Sequence, residues 1–284
     1  MNTTSIRSTP FDLEVRKDTR FNFTGLGDAI HTEANLYTSH FFNALSLMTP
    51  ITEGILIRAI RECQPLLAGT GLETDAKAFI GQEAIHTREH RELNRQLSAL
   101  GFDTQEVIDD IEAEVEQLEK SLSLQERLAV VVTGEHVIYS VARALLTSDY
   151  CDTEQQEEVK RLFLWHALEE MEHQSVCDDI YRHLYGTGIK HKLVYFQIFL
   201  LASKLLLGMV SKLFKALLAQ SRAPQKGELK SFLSWLMLNP GVGSITAKEL
   251  LAFFIPGFEH WKRTEEDQSL IHRNLKTVYD ATEA

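Results

Sequence analysis

Apolar side chains recur every three or four positions along most of this 284-residue chain. That is the period of an amphipathic helix, and the two-residue alternation of a half-buried strand is nearly absent. The six prolines, at 10, 50, 65, 224, 240 and 256, fall mainly between the periodic stretches. The pattern predicts a helix over about 32–47. Thr49-Pro50 then reads as the start of a second, with Thr as N-cap and Pro at the first helical position, running to about Cys63 before Pro65 stops it. Further helices are predicted over about 74–99, ending at Gly101, over 105–119 with an acidic face, and over 123–148 with a largely apolar surface. One more runs from Asp152-Thr153 to about Tyr185, before Gly186. At about 1.5 Å per residue it would be about 45 Å long, the length of a bundle helix. The expected fold is all-α: a four-helix bundle from 50–63, 74–99, 123–148 and 153–185, with additional C-terminal helices.

Two of these helices carry Glu-x-x-His, as Glu83-Ala-Ile-His86 and Glu170-Met-Glu-His173. Positions three apart share a helix face, so each motif aims a carboxylate and an imidazole at one point. Ferritin-like carboxylate proteins hold two metal ions with two such pairs and one further Glu from each of two other helices. Here the further carboxylates are Glu53, among Ile51, Ile55, Leu56 and Ile57, and Glu135, the one acid in a long apolar run. A buried carboxylate ionises only beside a partner such as a cation. The predicted metal ligands are therefore Glu53, Glu83, His86, Glu135, Glu170 and His173, holding two divalent ions. Iron is the favoured metal, with manganese or zinc compatible with mixed oxygen and nitrogen ligation.

His166 lies four residues before Glu170 and is expected as a third histidine ligand or a catalytic helper. His90 and His136, next to motif residues, are expected in supporting catalytic roles, and Gln82, Glu89, Glu169 and Glu172 as outer-face or supporting groups. The chain organises as an N-terminal arm over 1–30, a metal-binding bundle over 31–190 and a C-terminal helical extension over 191–284. Within the extension, 192–219 is nearly continuous apolar sequence. Lys204 near its centre argues against a membrane span, which needs about 20 predominantly apolar residues. The preferred reading is a buried or groove-forming helix that lines a channel for a hydrophobic substrate, with peripheral membrane contact as the alternative. No repeat, Gly-rich phosphate loop or low-complexity tract is present.

The chain resembles the predicted metal-dependent hydrolases, a branch of ferritin-like proteins. The resemblance lies in Leu47–Glu53, Phe79–His90, Glu135-His136, Trp165–His173 and Pro256–Trp261, with Thr52 and Glu259-His260 departing from the family pattern. The ligand order Glu53, Glu83-x-x-His86, Glu135, His166-x-x-x-Glu170-x-x-His173 is also similar to that of di-iron arylamine N-oxygenases. That second resemblance implies O2-dependent oxidation of a small, hydrophobic organic substrate, with O2 and an electron donor as partners. This is the leading expectation. Hydrolysis by a metal-activated water is the alternative, and non-catalytic metal binding a second one.

Composition narrows the partners. Lys and Arg total 29 against 40 Asp and Glu, a formal net charge of −11, which argues against a nucleic-acid backbone. Cys63, Cys151 and Cys177 form no Cys-x-x-Cys pair. With no secretory leader in Met1–Pro10, the expectation is core thiols in a reducing cytoplasm. A homodimer is compatible with a bundle of this kind.

Overall fold

The computed structural model describes residues 13–24, 26, 35–148, 156–173, 175–186, 189–238, 241–252, 267–271, 274 and 278. These form α1 (Leu36–Cys63), α2 (Leu72–Ala99), α3 (Gln105–Ser121), α4 (Leu124–Thr147), α5 (Glu157–His173), α6 (Val176–Tyr185), α7 (Ile189–Ala219), α8 (Glu228–Met237) and α9 (Val242–Ala252). No strand occurs among the described residues. Two bundle helices start at side-chain caps. Asn35 Oδ1 accepts from the backbone N–H groups of Tyr37 and Thr38 at the head of α1, and Ser123 and Glu126 form a capping box at the head of α4. Gly101 and Gly186, the predicted stops, adopt φ of 92° and 85°, a conformation only glycine takes without strain.

Three predicted elements are corrected. The helices expected over 32–47 and 50–63 are one continuous rod, α1, with Pro50 in its interior. Proline has no N–H, so the Ser46 carbonyl four residues earlier loses its helical donor. That carbonyl instead accepts from Asn94 Nδ2 of α2 at 3.0 Å, so the break in the helical ladder becomes a bond between helices. The rod expected over 153–185 is two helices, α5 ending at His173 and α6 beginning at Val176 after the N-cap Ser175. Tyr195 of α7 donates to Asp178 of α6 at 3.1 Å. Finally, α7 is not a buried helix: only 17% of the most apolar stretch of Val194–Ala219 is buried, against 78% for α4.

Helices α1, α2, α4 and α5 pack into the bundle core, with α1 against α2 and α4, and α5 against α4 and α2. Phe42, Ile60, Phe79, Leu93, Leu128, Leu162 and Trp165 fill it without solvent contact. Helix α7 lies across α1 and α4, while α9 covers α4. The interior is not uniformly apolar. Glu53, Glu83, His86, Glu170 and His173 are buried at its centre, each at most 1% exposed.

Candidate metal centre

Each bundle helix delivers part of one buried polar cluster. Glu53 comes from α1, Glu83 and His86 from α2, Glu135 from α4, and His166, Glu170 and His173 from α5. Their donor atoms form two groups, Glu53–His86–His166–Glu170 and Glu83–Glu135–Glu170–His173, and within each group all lie within 4.8 Å of one another. Glu170 belongs to both. Its Oε1 lies 2.9 Å from His166 Nε2 and 3.5 Å from His86 Nδ1, while its Oε2 lies 3.5 Å from His173 Nδ1. Glu83 also spans the groups, with Oε1 3.0 Å from His173 Nδ1 and Oε2 3.9 Å from His86 Nδ1.

The atoms facing inward lack well-aligned hydrogen bonds. Glu53 Oε1, both Glu83 oxygens, His86 Nδ1, Glu135 Oε1, Glu170 Oε2 and His173 Nδ1 are all buried without one. Leaving a buried polar atom unsatisfied costs about 1–3 kcal/mol, and more for a charged one. Seven such atoms around one point fit bound cations, which take lone pairs and not protons.

The outward-facing atoms, by contrast, are committed. His86 Nε2 lies 3.0 Å from Glu169 Oε2, so its N–H points outward and Nδ1 keeps a lone pair for the centre. His173 Nε2 lies 3.1 Å from Gln82 Oε1. The Gln82 amide is oriented by its own Nε2, which donates to Glu172 Oε2 and to the Glu14 carbonyl. His173 Nε2 therefore carries the proton, and Nδ1 again faces inward. For His166 the relay is longer. Asn94 Nδ2 is fixed on the Ser46 carbonyl, so Asn94 Oδ1 accepts from Ser46 Oγ at 2.7 Å. Ser46 Oγ must then accept from His90 Nδ1 at 2.9 Å, leaving His90 Nε2 to accept from His166 Nδ1 at 2.8 Å. His166 Nε2 is left bare toward Glu170. In each imidazole the partner sets the tautomer, the usual arrangement of metal-binding histidines.

Electrostatics agree with this arrangement. Burial, reinforced by Glu83, drives the Glu53 carboxyl well above its usual range, and burial with Glu170 beside it pushes Glu135 to about 8. Burial opposes ionisation of Glu83 and Glu170 too, yet His173 next to each holds both below the usual range. Against the effect of burial, Glu169 and Glu83 hold His86 protonated, and Glu170 and Glu83 do the same for His173. Burial and the charge on His86 press His166 down. Without cations, protons must balance the carboxylates, and divalent ions would displace them.

The N-terminal arm completes the shell. Arg16 donates to Glu169 Oε1 at 2.7 Å and to both oxygens of Glu172, at 2.9 and 3.3 Å. Trp165 Nε1 also donates to Glu169, at 3.0 Å. One guanidinium thus fixes the carboxylate behind His86 and the one behind Gln82 and His173. The arm reaches this close because residue 81 is glycine: a Cβ there would stand 2.9 Å from both methyl carbons of Val15.

A sequence model of the family described as predicted metal-dependent hydrolase matches residues 15–264. The chain belongs to this family. No curated protein and no solved structure matches it. Membership corrects the expectation of O2-dependent oxidation. The description of the predicted metal-dependent hydrolases is hydrolytic, and a resemblance in ligand order concerns how ions would be held, which does not determine the reaction.

Not every residue singled out from the sequence joins the donor groups. His90 is outside both donor groups and bonds to His166. His136 turns away, with Nε2 3.2 Å from the Glu249 carbonyl, and borders a small cavity beside Glu135. Glu89 faces the arm, accepting from Arg88 and from the Phe21 backbone. The Pro256–Trp261 stretch and Cys151 lie outside the described residues; Cys63 and Cys177 are free buried thiols. Arg16, Ser46, Asn94 and Thr87, which donates to Glu53 Oε2 at 2.7 Å, were not singled out from sequence. A polar residue at 46 and 94 on core-facing sides of two helices was the only signal available.

The relay through His90 has a measurable consequence. In His90→Phe, His166 loses the acceptor that sets its tautomer, so the group containing Glu53 and His86 weakens by about 10–100-fold, while the group containing Glu135 and His173 is unchanged. Competition against a chromophoric chelator will resolve the two steps. Equal weakening of both would refute the relay.

Proposed function

We propose that the chain is a hydrolase that uses two divalent ions, one held by Glu53, His86 and His166, the other by Glu135 and His173, with Glu170 and Glu83 reaching both. The observation that carries this reading is the pair of donor groups sharing Glu170 and lined by buried atoms without aligned hydrogen bonds. Family membership supports the reaction class. The carboxylate and imidazole donors suit iron, manganese or zinc. Bound there, such ions would act as Lewis acids and lower the pKa of water.

The chain supplies the place for that water. A cavity of about 10 Å3, bordered by Val132, Glu135, His136, Tyr139, His173, Cys177 and Asp178, is about the size of one water molecule. Glu135 borders this cavity and is the carboxylate that would take a proton from a water held there. Asp178 is held at the rim by Tyr195 and by Arg182, whose Nε lies 2.7 Å from Oδ2. The cavity is too small for a substrate. Beside it the C-terminal extension is tied to α4, where Tyr139 donates to Asp267 and Arg143 pairs with Glu249 and Asp267. Neither this cavity nor a cleft of about 250 Å3 beside Phe21 and Arg88 is lined by α7.

The test is a panel of small carboxylic and phosphoric ester substrates offered to metal-free protein reconstituted with zinc, manganese or iron. Cleavage that depends on metal and disappears in Glu135→Gln is the expected result. Protein that binds two ions yet cleaves nothing with any of them would overturn the proposal.

A further inference from the structure

Residues 187–227 contain seven Lys and Arg and no Asp or Glu, in a chain whose net charge is −11. Helix α7 makes up most of this stretch. It is seated by a single line of buried residues, Ile198, Ala202, Met209, Leu213 and Leu217, spaced to fall on one face. Its other faces remain apolar in the open: Leu200 is 56% and Leu207 72% exposed, with Lys204 and Lys215 exposed alongside them. The neighbourhood is similar. Eight of the ten large apolar side chains exposed among the described residues fall between 196 and 251, including Leu229, Leu233 and Met237, which recur every fourth position along α8. Helices hydrophobic all round normally lie in a core or a membrane, and scattered single exposures need no explanation where this clustering does.

We propose that α7 docks the protein on an anionic membrane surface, lying in the plane of the interface. Charge selects this occupant over a second copy of the chain. A twofold dimer apposes the same patch on both partners, which would set Lys204 and Lys215 against their own copies with no acid in 187–227 to answer them. An anionic leaflet meets both features, since its headgroups attract the lysines and its outer acyl region takes the leucines. Lys204 within the apolar face suits a helix lying flat, where its amine reaches back to the headgroups, and rules against one crossing the bilayer. Lys212 takes a smaller part, being paired with Glu114 of α3 at 2.5 Å. The inference does not depend on the hydrolase reading.

Flotation of the full-length, metal-loaded chain with vesicles is the test. Binding to phosphatidylcholine vesicles containing about one-third phosphatidylglycerol, weakened by salt, and none to phosphatidylcholine alone is expected. Lys204→Gln and Lys215→Gln should each weaken partitioning by about five-fold, and Leu200→Ser with Leu207→Ser should abolish it. All four side chains are exposed, so circular dichroism and the unfolding midpoint will stay as in the parent chain. Three outcomes would overturn the proposal: no flotation with either vesicle, unchanged flotation of the variants, or a dimer that dissolves in the Leu200→Ser, Leu207→Ser variant without any lipid binding.

Discussion

Glu170→Ala will leave a folded chain that retains neither ion. Glu170 belongs to both donor groups, with one oxygen toward His166 and His86 and the other toward His173. Alanine leaves both groups one donor short and removes the negative charge between two cations that otherwise repel each other. Metal analysis after gel filtration is expected to fall from two ions per chain to none. Glu53→Ala, which touches one group, is expected to keep one ion. If hydrolysis needs both ions, Glu170→Ala loses several kcal/mol of transition-state stabilisation, about a thousandfold in kcat/KM. The isosteric Glu170→Gln separates lost charge from lost packing and should fail in the same way. Two ions retained by either variant would show that the two groups do not depend on Glu170.

Arg16→Met is expected to weaken both ions together although Arg16 touches neither donor group. Removing the guanidinium frees Glu169 behind His86 and Glu172 behind Gln82 and His173. Groups that orient metal-binding histidines are typically worth about 10–100-fold in affinity. Lysine is a poor substitute, since it cannot present two parallel N–H groups to Glu172 while reaching Glu169. Gly81→Ala should reproduce the effect without altering a charge, because its methyl group meets Val15 next to Arg16. Chelator competition on the three variants checks this. Wild-type affinity in Arg16→Met would show that the arm is packing alone.

The parts legible in the sequence were those that repeat or stand out locally. Glu83-x-x-His86 and Glu170-x-x-His173 announce themselves by helical spacing, and Glu53 and Glu135 by being single carboxylates in apolar runs. Helix periodicity likewise placed α2, α3 and α4 within two residues of their observed ends. Partners that meet only in three dimensions were not legible. Arg16 sits in an arm with no period, and its targets are 153 and 156 residues away. Pro50 was read as a helix start because local sequence favours that position, whereas tertiary packing keeps α1 continuous through it. The apolar run of α7 predicted burial because composition reports what a helix would cover, without saying whether the molecule provides a cover. The oxidase expectation failed for a related reason: a ligand order constrains coordination and is silent on substrate.

Pro50 carries a warning for anyone who would make this protein sturdier. An interior proline is an obvious target, since alanine there is worth up to about 3 kcal/mol of helix stability. Here the new amide would claim the Ser46 carbonyl, turn Asn94 loose, and let the hydroxyl, His90 and His166 settle in either orientation. Hardening the rod would blur the aim of an imidazole on another helix, so resistance to heat and command of the ion would move in opposite directions.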